Sequence, residues 1–396
     1  MDTTILKNPE GFRNALYEKM IQIAPGIADL EPYEFQYCLD NLTPEAGWTS
    51  TCLETMPVIE KNVQDPDIYK SVQMKPRQNG RLVMDAQVQR LTQMLFVGLV
   101  TLAYPTDWVR QHFYFDVRGF LFMHRTEYFN PQIHAHLGGK PFRQFEPKQR
   151  QFSAWQAVGY KAFREANAEV DQCFIDLILR LSDRLGSPMI IAIAGQTAAG
   201  KTEIVARLCE AFTNAGKKIT SIEMDNFFTD RDYREAHGID SLGKEALHYD
   251  LLQRCLQEIR QGKKIITPRY DFISATSSYT LDGQLREGCK QVEIEPADII
   301  FMEGNYPFLL PELAPLISVK VVYLTADEVR LKRKWKRDMD YRKKYDLLYF
   351  LNRYFREQYL MAEQAYIPQM QLCDILVDTT GAAVWVTPET AARLKD

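Results

Sequence analysis

The 396-residue sequence lacks a CxxC pair, a secretory signal and any apolar run long enough to span a bilayer. Its seven cysteines are scattered and odd in number, which suits reduced thiols better than a disulfide framework. The first residues, "MDTTILKNPEGFRNALYEKM", hold no continuous apolar stretch of the kind that signal peptides carry. The run "MLFVGLVTLAY" at 94–104 is too short to cross a membrane. These absences predict a soluble, cytoplasmic protein.

An excess of charge of one sign is also missing, because 48 Lys and Arg residues oppose 52 Asp and Glu residues. The net charge of −4 therefore offers no electrostatic reason to expect nucleic acid or an anionic membrane as a partner. Hydrophobic residues make up 46% of the chain and charged residues 25%, as in an ordinary globular protein. At this length we expect two or three domains, each with its own core.

The chain changes character near residue 188. Ahead of it, proline-bearing breaks interrupt the helical periodicity of residues 1–80. The segments that follow are a helix at 81–104, two strands around a glycine at 113–124, a loop at 129–142 and a long helix at 154–185. We predict an unrecognised, mostly helical α+β domain over 1–153 and a helical linker or packing helix over 154–187.

From residue 188 onward, short apolar strands alternate with amphipathic helices. The predicted strands are "MIIAIA", "ITSIEM", "DIIFME", "VKVVYL" and "CDILVD", and the predicted helices lie near 201–213, 245–261 and 325–340. Strands that are apolar throughout are typical of a parallel sheet covered by helices on both faces. Residues 188–396 are therefore predicted to form one α/β domain.

The segment "GQTAAGKT" satisfies the spacing G-x-x-x-x-G-K-[ST] between a predicted strand and a predicted helix. Glycines let the backbone curl so that successive N–H groups point at a phosphate chain. Lys201 would place a positive charge on the outer phosphates, and the Thr202 hydroxyl can ligate Mg²⁺. The strand and helix argue against the alternative, a glycine-rich turn without a ligand. The predicted nucleotide-binding residues are Gly195, Gln196, Thr197, Ala198, Ala199, Gly200, Lys201, Thr202 and Glu203.

Two carboxylates stand at the ends of two other predicted strands, Asp225 in "SIEMDNFF" and Glu303 in "DIIFMEG". Because the carboxyl ends of parallel strands meet at one sheet edge, we expect both beside the phosphate loop. A carboxylate there can hold Mg²⁺ or accept the proton of an attacking hydroxyl. The alternatives are a turn or helix-capping residue for Asp225 and a structural hydrogen bond for Glu303. The sequence has neither an N-K-x-D guanine motif nor an LSGGQ-type signature.

Basic residues crowd the segment "VRLKRKWKRDMDYRKKYD" at 329–346. On a helix, Arg330, Arg333 and Arg337 share one face. A kinase needs cations that close over the transferring phosphoryl group, because negative charge spreads over its oxygens. The segment is therefore predicted to contact the nucleotide, the alternative being a solvated basic helix.

Together these motifs resemble the uridine kinase and phosphoribulokinase-like family of P-loop kinases over about 189–380. The phosphate loop is followed in order by "MDNFF", "GIDSLGKEALHYDLL", "GKKIITPRYDF", "IIFMEGNYP", "RLKRKWKRDMDYRKK" and "IPQMQLCDILVD", each similar to a family segment. The resemblance implies a P-loop kinase fold that uses ATP and Mg²⁺ to phosphorylate the hydroxyl group of a small molecule.

The resemblance also assigns residues. Asp225 would be the catalytic base and a Mg²⁺ partner, beside Lys201. The lid cations would be Arg337, Arg342 and Lys344, with Arg333 also at the nucleotide. The metal ligands would be Thr202, Asp225 and Glu303, and the substrate residues Phe228, Asp240, Tyr270, Glu303 and Arg342.

Two positions depart from the family pattern. Uridine–cytidine kinases usually carry Tyr where this chain has Phe228, and a base-contacting His where it has Ala275. Both changes delete hydrogen-bonding groups that would read a pyrimidine. The 5′-hydroxyl of a nucleoside is the first predicted acceptor. A sugar, a sugar phosphate, glycerate or a pantothenate-like alcohol is the alternative within the class, and a non-catalytic nucleotide sensor is the alternative outside it.

The region ahead of residue 188 resembles no family. His134 and His136 in "IHAH" would face one side of a strand and could ligate a metal, although the segment itself reads as a loop. The stretch at 140–164 mixes cations with aromatic residues, a pattern that could stack nucleobases but more often forms a helix surface. An oligomerisation or regulatory role, or a cap over the substrate site, is favoured over both.

Overall fold

The computed structural model describes residues 4–30, 32–63, 75–76, 82–83, 86–115, 122–124, 130–145, 165, 167–239, 241–325, 330, 333–334, 337 and 361–395. Backbone contacts place them in two compact units, one within 4–124 and one within 130–395. Within the described residues, no helix is both long and apolar enough to cross a membrane.

The first unit is mainly helical. Its α-helices span Pro9–Ile23, Pro32–Leu42, Met56–Val63, Ala86–Val100 and Thr106–His112, and its 3₁₀ turns span Thr4–Lys7, Pro25–Asp29 and Trp48–Ser50. Its strands are β1 (Lys75–Pro76), β2 (Leu82–Val83), β3 (Phe113–Phe115) and β4 (Phe122–His124). The predicted helix at 81–104 is found at 86–100, and the two strands predicted at 113–124 pair antiparallel. Stacked Phe12 and Trp48 rings, 4.5 Å apart, lie in the core.

The second unit is built on a seven-stranded sheet. Its strands are β5 (Arg143–Gln144), β6 (Met189–Ala194), β7 (Ile219–Glu223), β8 (Ile265–Thr267), β9 (Tyr270–Asp271), β10 (Thr276–Ser277), β11 (Val292–Ile294), β12 (Ile299–Gly304), β13 (Val319–Leu324), β14 (Ile375–Asp378) and β15 (Ala383–Val386). The main sheet has the order β5-β15-β14-β13-β6-β12-β7, while β8–β11 and β9–β10 form two small ribbons. All five predicted strands are confirmed, and they run parallel to one another.

One edge of this sheet, formed by β15 and β5, was not predicted from the sequence. Strand β15 runs antiparallel to β14, and β5 runs antiparallel to β15. Both strands are short, so neither has enough residues for the alternating pattern of a strand to be recognised in the sequence. The five central strands still match the predicted architecture.

Helices cover both faces of the sheet. The helices of this unit span Pro131–His136, Ala168–Leu185, Lys201–Asn214, Arg231–Ala236, Tyr249–Arg260, Ile367–Met370 and Pro388–Arg393, with 3₁₀ turns at Met224–Phe227, Lys244–Ala246 and Ala314–Leu316 and a π-helical turn at Ala362–Tyr366. The long helix (Ala168–Leu185) and the phosphate-loop helix (Lys201–Asn214) pack on one face, and Tyr249–Arg260 packs on the other. Two separate apolar cores result, as a doubly covered sheet requires.

The segment predicted as a loop at 129–142 is partly helical. The Asn130 side chain accepts a hydrogen bond from the Ile133 N–H at 2.9 Å, and Pro131 occupies the first helical position. A capping residue followed by proline is typical of the start of a helix. In this segment it outweighs the turn-forming glycines that follow at 138 and 139. Of the helix predicted near 325–340, residues 325, 330, 333, 334 and 337 are described, and the last four are helical.

Candidate active site

The phosphate loop, Gly195–Thr202, joins β6 to the phosphate-loop helix. A Cβ on Gly195 would lie 2.6 Å from the Tyr323 carbonyl oxygen, so only glycine lets the chain leave the sheet here. Gly200 has φ of +103°, a left-handed conformation that glycine adopts without strain. The loop and the helix N-terminus therefore have the geometry of an anion-binding turn.

Lys201 is held inside the loop that it belongs to. Its ammonium donates to the carbonyl oxygen of Gly195 at 2.8 Å and to that of Gln196 at 3.2 Å, and Asn305 Oδ1 accepts at 3.4 Å. Burial lowers the pKa of Lys201, while the negative charges of Asp225 and Glu303 oppose that shift. The cation thus lies where the outer phosphates of a nucleotide would need it.

Thr202 and Glu303 are in direct contact. The Thr202 hydroxyl lies 2.9 Å from Glu303 Oε1 and 3.1 Å from Oε2, and donates to this carboxylate. Glu303 is 7% exposed, and burial raises its pKa to about 7 against the charge of Lys201 and the Thr202 hydrogen bond. The predicted juxtaposition of strand-end carboxylate and phosphate loop is therefore present.

Asp225 lies in the turn Met224–Phe227, directly after β7. Glu223 pairs in register with Glu303, and β12 also pairs with β6, which leads into the phosphate loop, so Asp225 lies at the same carboxyl edge of the sheet as Glu303 and Lys201. Its charge acts on both of these residues. The turn depends on Gly304, because a Cβ there would lie 2.7 Å from the Met224 side chain. The glycine after Glu303 thus lets the turn that carries Asp225 sit against β12.

The oxygen donors present here suit Mg²⁺. Among the described residues, no three His, Cys, Asp or Glu side chains converge on one point as a metal cage. Mg²⁺ needs no such cage, because it usually binds one or two carboxylates and completes its shell with water and phosphate oxygens. The Thr202 hydroxyl and the Glu303 and Asp225 carboxylates provide that kind of donor set.

Two arginines from the predicted lid reach the phosphate loop. Arg330 is fully buried, and its Nη1 donates to the Thr197 carbonyl oxygen at 3.3 Å. Arg337 Nη2 donates to Thr197 Oγ1 at 3.0 Å. Burial lowers the pKa of Arg333 to about 10, so this side chain is still a cation at neutral pH. Arg330 thus contacts the backbone of Thr197, whereas Arg337 contacts the side chain of the same residue.

Phe228 directly follows the turn that carries Asp225, and it forms a buried aromatic cluster with Tyr270. Their rings meet edge to face with centroids 6.0 Å apart. Arg234, 6% exposed, places its guanidinium 4.7 Å from the Phe228 centroid and donates to Tyr270 Oη at 3.2 Å. Tyr270 Oη in turn donates to the Ala275 carbonyl oxygen at 2.9 Å. This aromatic cluster therefore combines ring faces with a buried positive charge.

Comparison with known proteins gives the family of the chain. A family model described as Phosphoribulokinase / Uridine kinase family matches residues 190–383. The chain is similar to a uridine kinase of Brevibacillus brevis, with 30% identity over 161 residues that cover 40% of this chain and 70% of the relative. A uridine kinase of Lactobacillus helveticus is 28% identical over 206 residues, covering 50% of this chain and 90% of the relative. The chain belongs to the phosphoribulokinase and uridine kinase family. It is a P-loop kinase of a hydroxyl-bearing substrate.

The structure brings together most residues that the sequence assigned to the family's site. Lys201, Thr202, Asp225 and Glu303 lie at one sheet edge, with Arg337 at the loop and Phe228 and Tyr270 in the adjoining aromatic cluster. Asp240, Arg342 and Lys344 lie outside the described residues. Their assignments remain predictions.

Sequence reasoning missed two charged residues. Glu223 lies in register with Glu303 on the neighbouring strand, and partial desolvation and the charge of Asp225 raise its pKa. Its position two residues before Asp225, at the period of a strand, was a usable signal. Arg234 belongs to a short charged helix, and nothing in its spacing indicated that it would turn inward.

The two histidines singled out in the sequence have other partners. A ring nitrogen of His136, Nε2, lies 2.7 Å from the Cys373 carbonyl oxygen. The His134 ring packs edge-on against Trp385, with centroids 5.4 Å apart. Both histidines lie on a helix, and side chains two residues apart on a helix point in different directions. The strand geometry assumed for a metal pair is therefore wrong.

Proposed function

We propose that this chain is an ATP- and Mg²⁺-dependent kinase that transfers the γ-phosphoryl group to a small-molecule hydroxyl, with a nucleoside 5′-hydroxyl as the first candidate acceptor. The observation that carries the proposal is the grouping of Lys201, Thr202, Asp225 and Glu303 at the carboxyl edge of the sheet. It pairs a phosphate-binding loop with a carboxylate able to take a proton, beside Phe228 and Tyr270, which the family resemblance assigns to the acceptor.

Each residue of the group has a distinct task. The acceptor hydroxyl would lie between Asp225 and the nucleotide, so that Asp225 takes its proton as the oxygen attacks in line. Lys201 and Arg337 would neutralise charge that develops on the phosphate oxygens. Thr202, Asp225 and Glu303 would hold Mg²⁺, which supplies electrostatic stabilisation between the outer phosphates.

The side chains around Phe228 favour a second candidate acceptor. Phe228 and Ala275 lack the hydroxyl and imidazole groups that the resemblance associates with pyrimidine recognition, while Arg234 contributes a buried cation beside Phe228. A guanidinium recognises carboxylate or phosphate oxygens well. An acceptor with an anionic group, such as a sugar phosphate or glycerate, therefore competes with the nucleoside.

ADP release tests the proposal with purified protein, ATP, Mg²⁺ and a panel of nucleosides, sugars, sugar phosphates, glycerate and pantothenate. We expect one class of acceptor to stimulate release, and Asp225→Asn to reduce that stimulation by at least a hundredfold, since general base catalysis contributes about 10²–10⁴.

Asp232→Asn is the matched control, because Asp232 is exposed and lies seven residues further along the chain. It should retain wild-type rates. Tight ATP binding with no stimulation by any acceptor would contradict the proposal and favour a nucleotide-sensing module.

A further inference from the structure

A buried carboxylate on the long helix lies outside the segment that the family model matches. Asp171 is 1% exposed and has two partners. Tyr323 Oη donates to its Oδ1 at 2.7 Å, and Arg207 Nη1 donates to its Oδ2. Tyr323 belongs to β13 and Arg207 to the phosphate-loop helix. Asp171 therefore joins the long helix to the two elements that border the phosphate loop.

The end of β13 supports the phosphate loop directly. Thr325, two residues after Tyr323, donates its hydroxyl to the Ala199 carbonyl oxygen at 2.8 Å. Arg330 Nε donates to the Thr325 carbonyl oxygen at 3.1 Å and links it to Thr197 through its other nitrogen. A shift of β13 would therefore move the loop at two places.

The polar and charged groups around Asp171 favour its ionised form, whereas burial opposes ionisation. Burial raises the pKa of Asp171 to about 6, and Tyr323, Arg207 and Arg333 act in the opposite direction. A buried ion pair of this kind adds little net stability compared with apolar packing, but it fixes geometry. The charge of Arg333, from the predicted lid, also acts on this carboxylate.

We infer that Asp171 is a positioning residue, which fixes the end of β13 and through it the phosphate loop in the arrangement that binds ATP. The inference rests on the proposed ATP-dependent function. It gives the long helix a part in nucleotide binding, beyond its packing against the sheet.

Direct ATP binding and ADP-release kinetics of Asp171→Asn test this inference. We expect the dissociation constant and the KM for ATP to rise about tenfold, with kcat at saturating ATP within twofold of wild type, because coupling through a packed network is worth about 0.5–2 kcal/mol. Tyr323→Phe, which removes only a hydroxyl and is a milder change, should raise both constants about threefold.

Two controls separate positioning from packing. Asp183→Asn breaks an exposed ion pair between the long helix and Lys217, which follows the phosphate-loop helix, with N and O atoms 3.1 Å apart. Leu177→Ala removes buried apolar contacts of the long helix. Asp183→Asn should bind ATP as wild type does, and Leu177→Ala should lower the melting temperature without changing ATP affinity.

The results distinguish the two proposals. Unchanged ATP affinity in Asp171→Asn, or an equal loss in Leu177→Ala, would overturn the positioning role while leaving the kinase proposal intact. Failure of the wild-type protein to bind ATP would overturn both.

Discussion

Glu303 shows how strongly the fold changes a single residue. A glutamate in water ionises near pH 4.5, but burial beside Thr202 raises the pKa of Glu303 to about 7. The free carboxylate is costly in this position until a cation neutralises it. The charge of Lys201 alone does not offset this burial, so a second cation at the site would favour loss of the Glu303 proton.

The shifted pKa predicts a pH dependence of stability in the metal-free protein. The folded chain keeps the Glu303 proton up to about pH 7, whereas the unfolded chain loses it near pH 4.5. The free energy of unfolding should therefore fall as the pH rises through this window, by about 3 kcal/mol from this group. Urea unfolding at pH 5 and at pH 7.5 measures this fall in the free energy of unfolding.

The amide introduced by Glu303→Gln cannot ionise. The free energy of unfolding of this variant should therefore fall less than that of the wild type between pH 5 and pH 7.5. Glu287→Gln, at an exposed position, should keep the wild-type pH profile. Equal profiles for wild type and Glu303→Gln would contradict the assignment.

At the scale of elements, the site depends on how β12 meets the turn Met224–Phe227. Gly304 ends β12 without a side chain, and Met224 occupies the space that a Cβ would need. Asp225 follows Met224, so the position of its carboxylate depends on a glycine far away in sequence. The same glycine accepts a hydrogen bond from the Gly195 N–H at 3.3 Å, so it also borders the phosphate loop.

Gly304→Ala should therefore displace Asp225 more than it disturbs the loop. We expect kcat for acceptor-stimulated ADP release to fall by about a hundredfold, because a misplacement of about 1 Å is enough for such a loss. ATP affinity, measured by direct titration of the same variant, should change less than threefold. A wild-type kcat would show that the turn can relax around the new methyl group.

At the scale of the whole molecule, the second unit includes more than the segment that the family model matches. The long helix buries Val170, Phe174, Leu177, Ile178 and Leu181 in the core on one face of the sheet. Strand β5 extends the sheet at its antiparallel edge. We propose that the domain needs these preceding elements in order to fold.

Two truncated chains test this proposal. Residues 128–396 should unfold cooperatively and bind ATP. Residues 188–396 lack the long helix and should unfold at a clearly lower urea concentration and bind the dye ANS, because the apolar face of the sheet is exposed. Equal urea midpoints for the two chains would show that the helix is dispensable.

The sequence by itself determined the elements whose signals are local. Five apolar strands, the glycine spacing of the phosphate loop and the carboxylates of Asp225 and Glu303 all follow from short segments, and the parallel sheet then places them at one edge. The segment at 129–142 shows the limit of local signals, because its cap and its turn residues indicated different structures.

Tertiary structure decided the environment of each side chain. Thr202 meets Glu303 across 101 residues of sequence, and Tyr323 meets Asp171 across 152. Such pairs have no common period or motif, so spacing cannot reveal them. The raised pKa of Glu303, the inward turn of Arg234 and the link from Asp171 to the phosphate loop all arise from burial, which exists only once the sheet and its helices have packed.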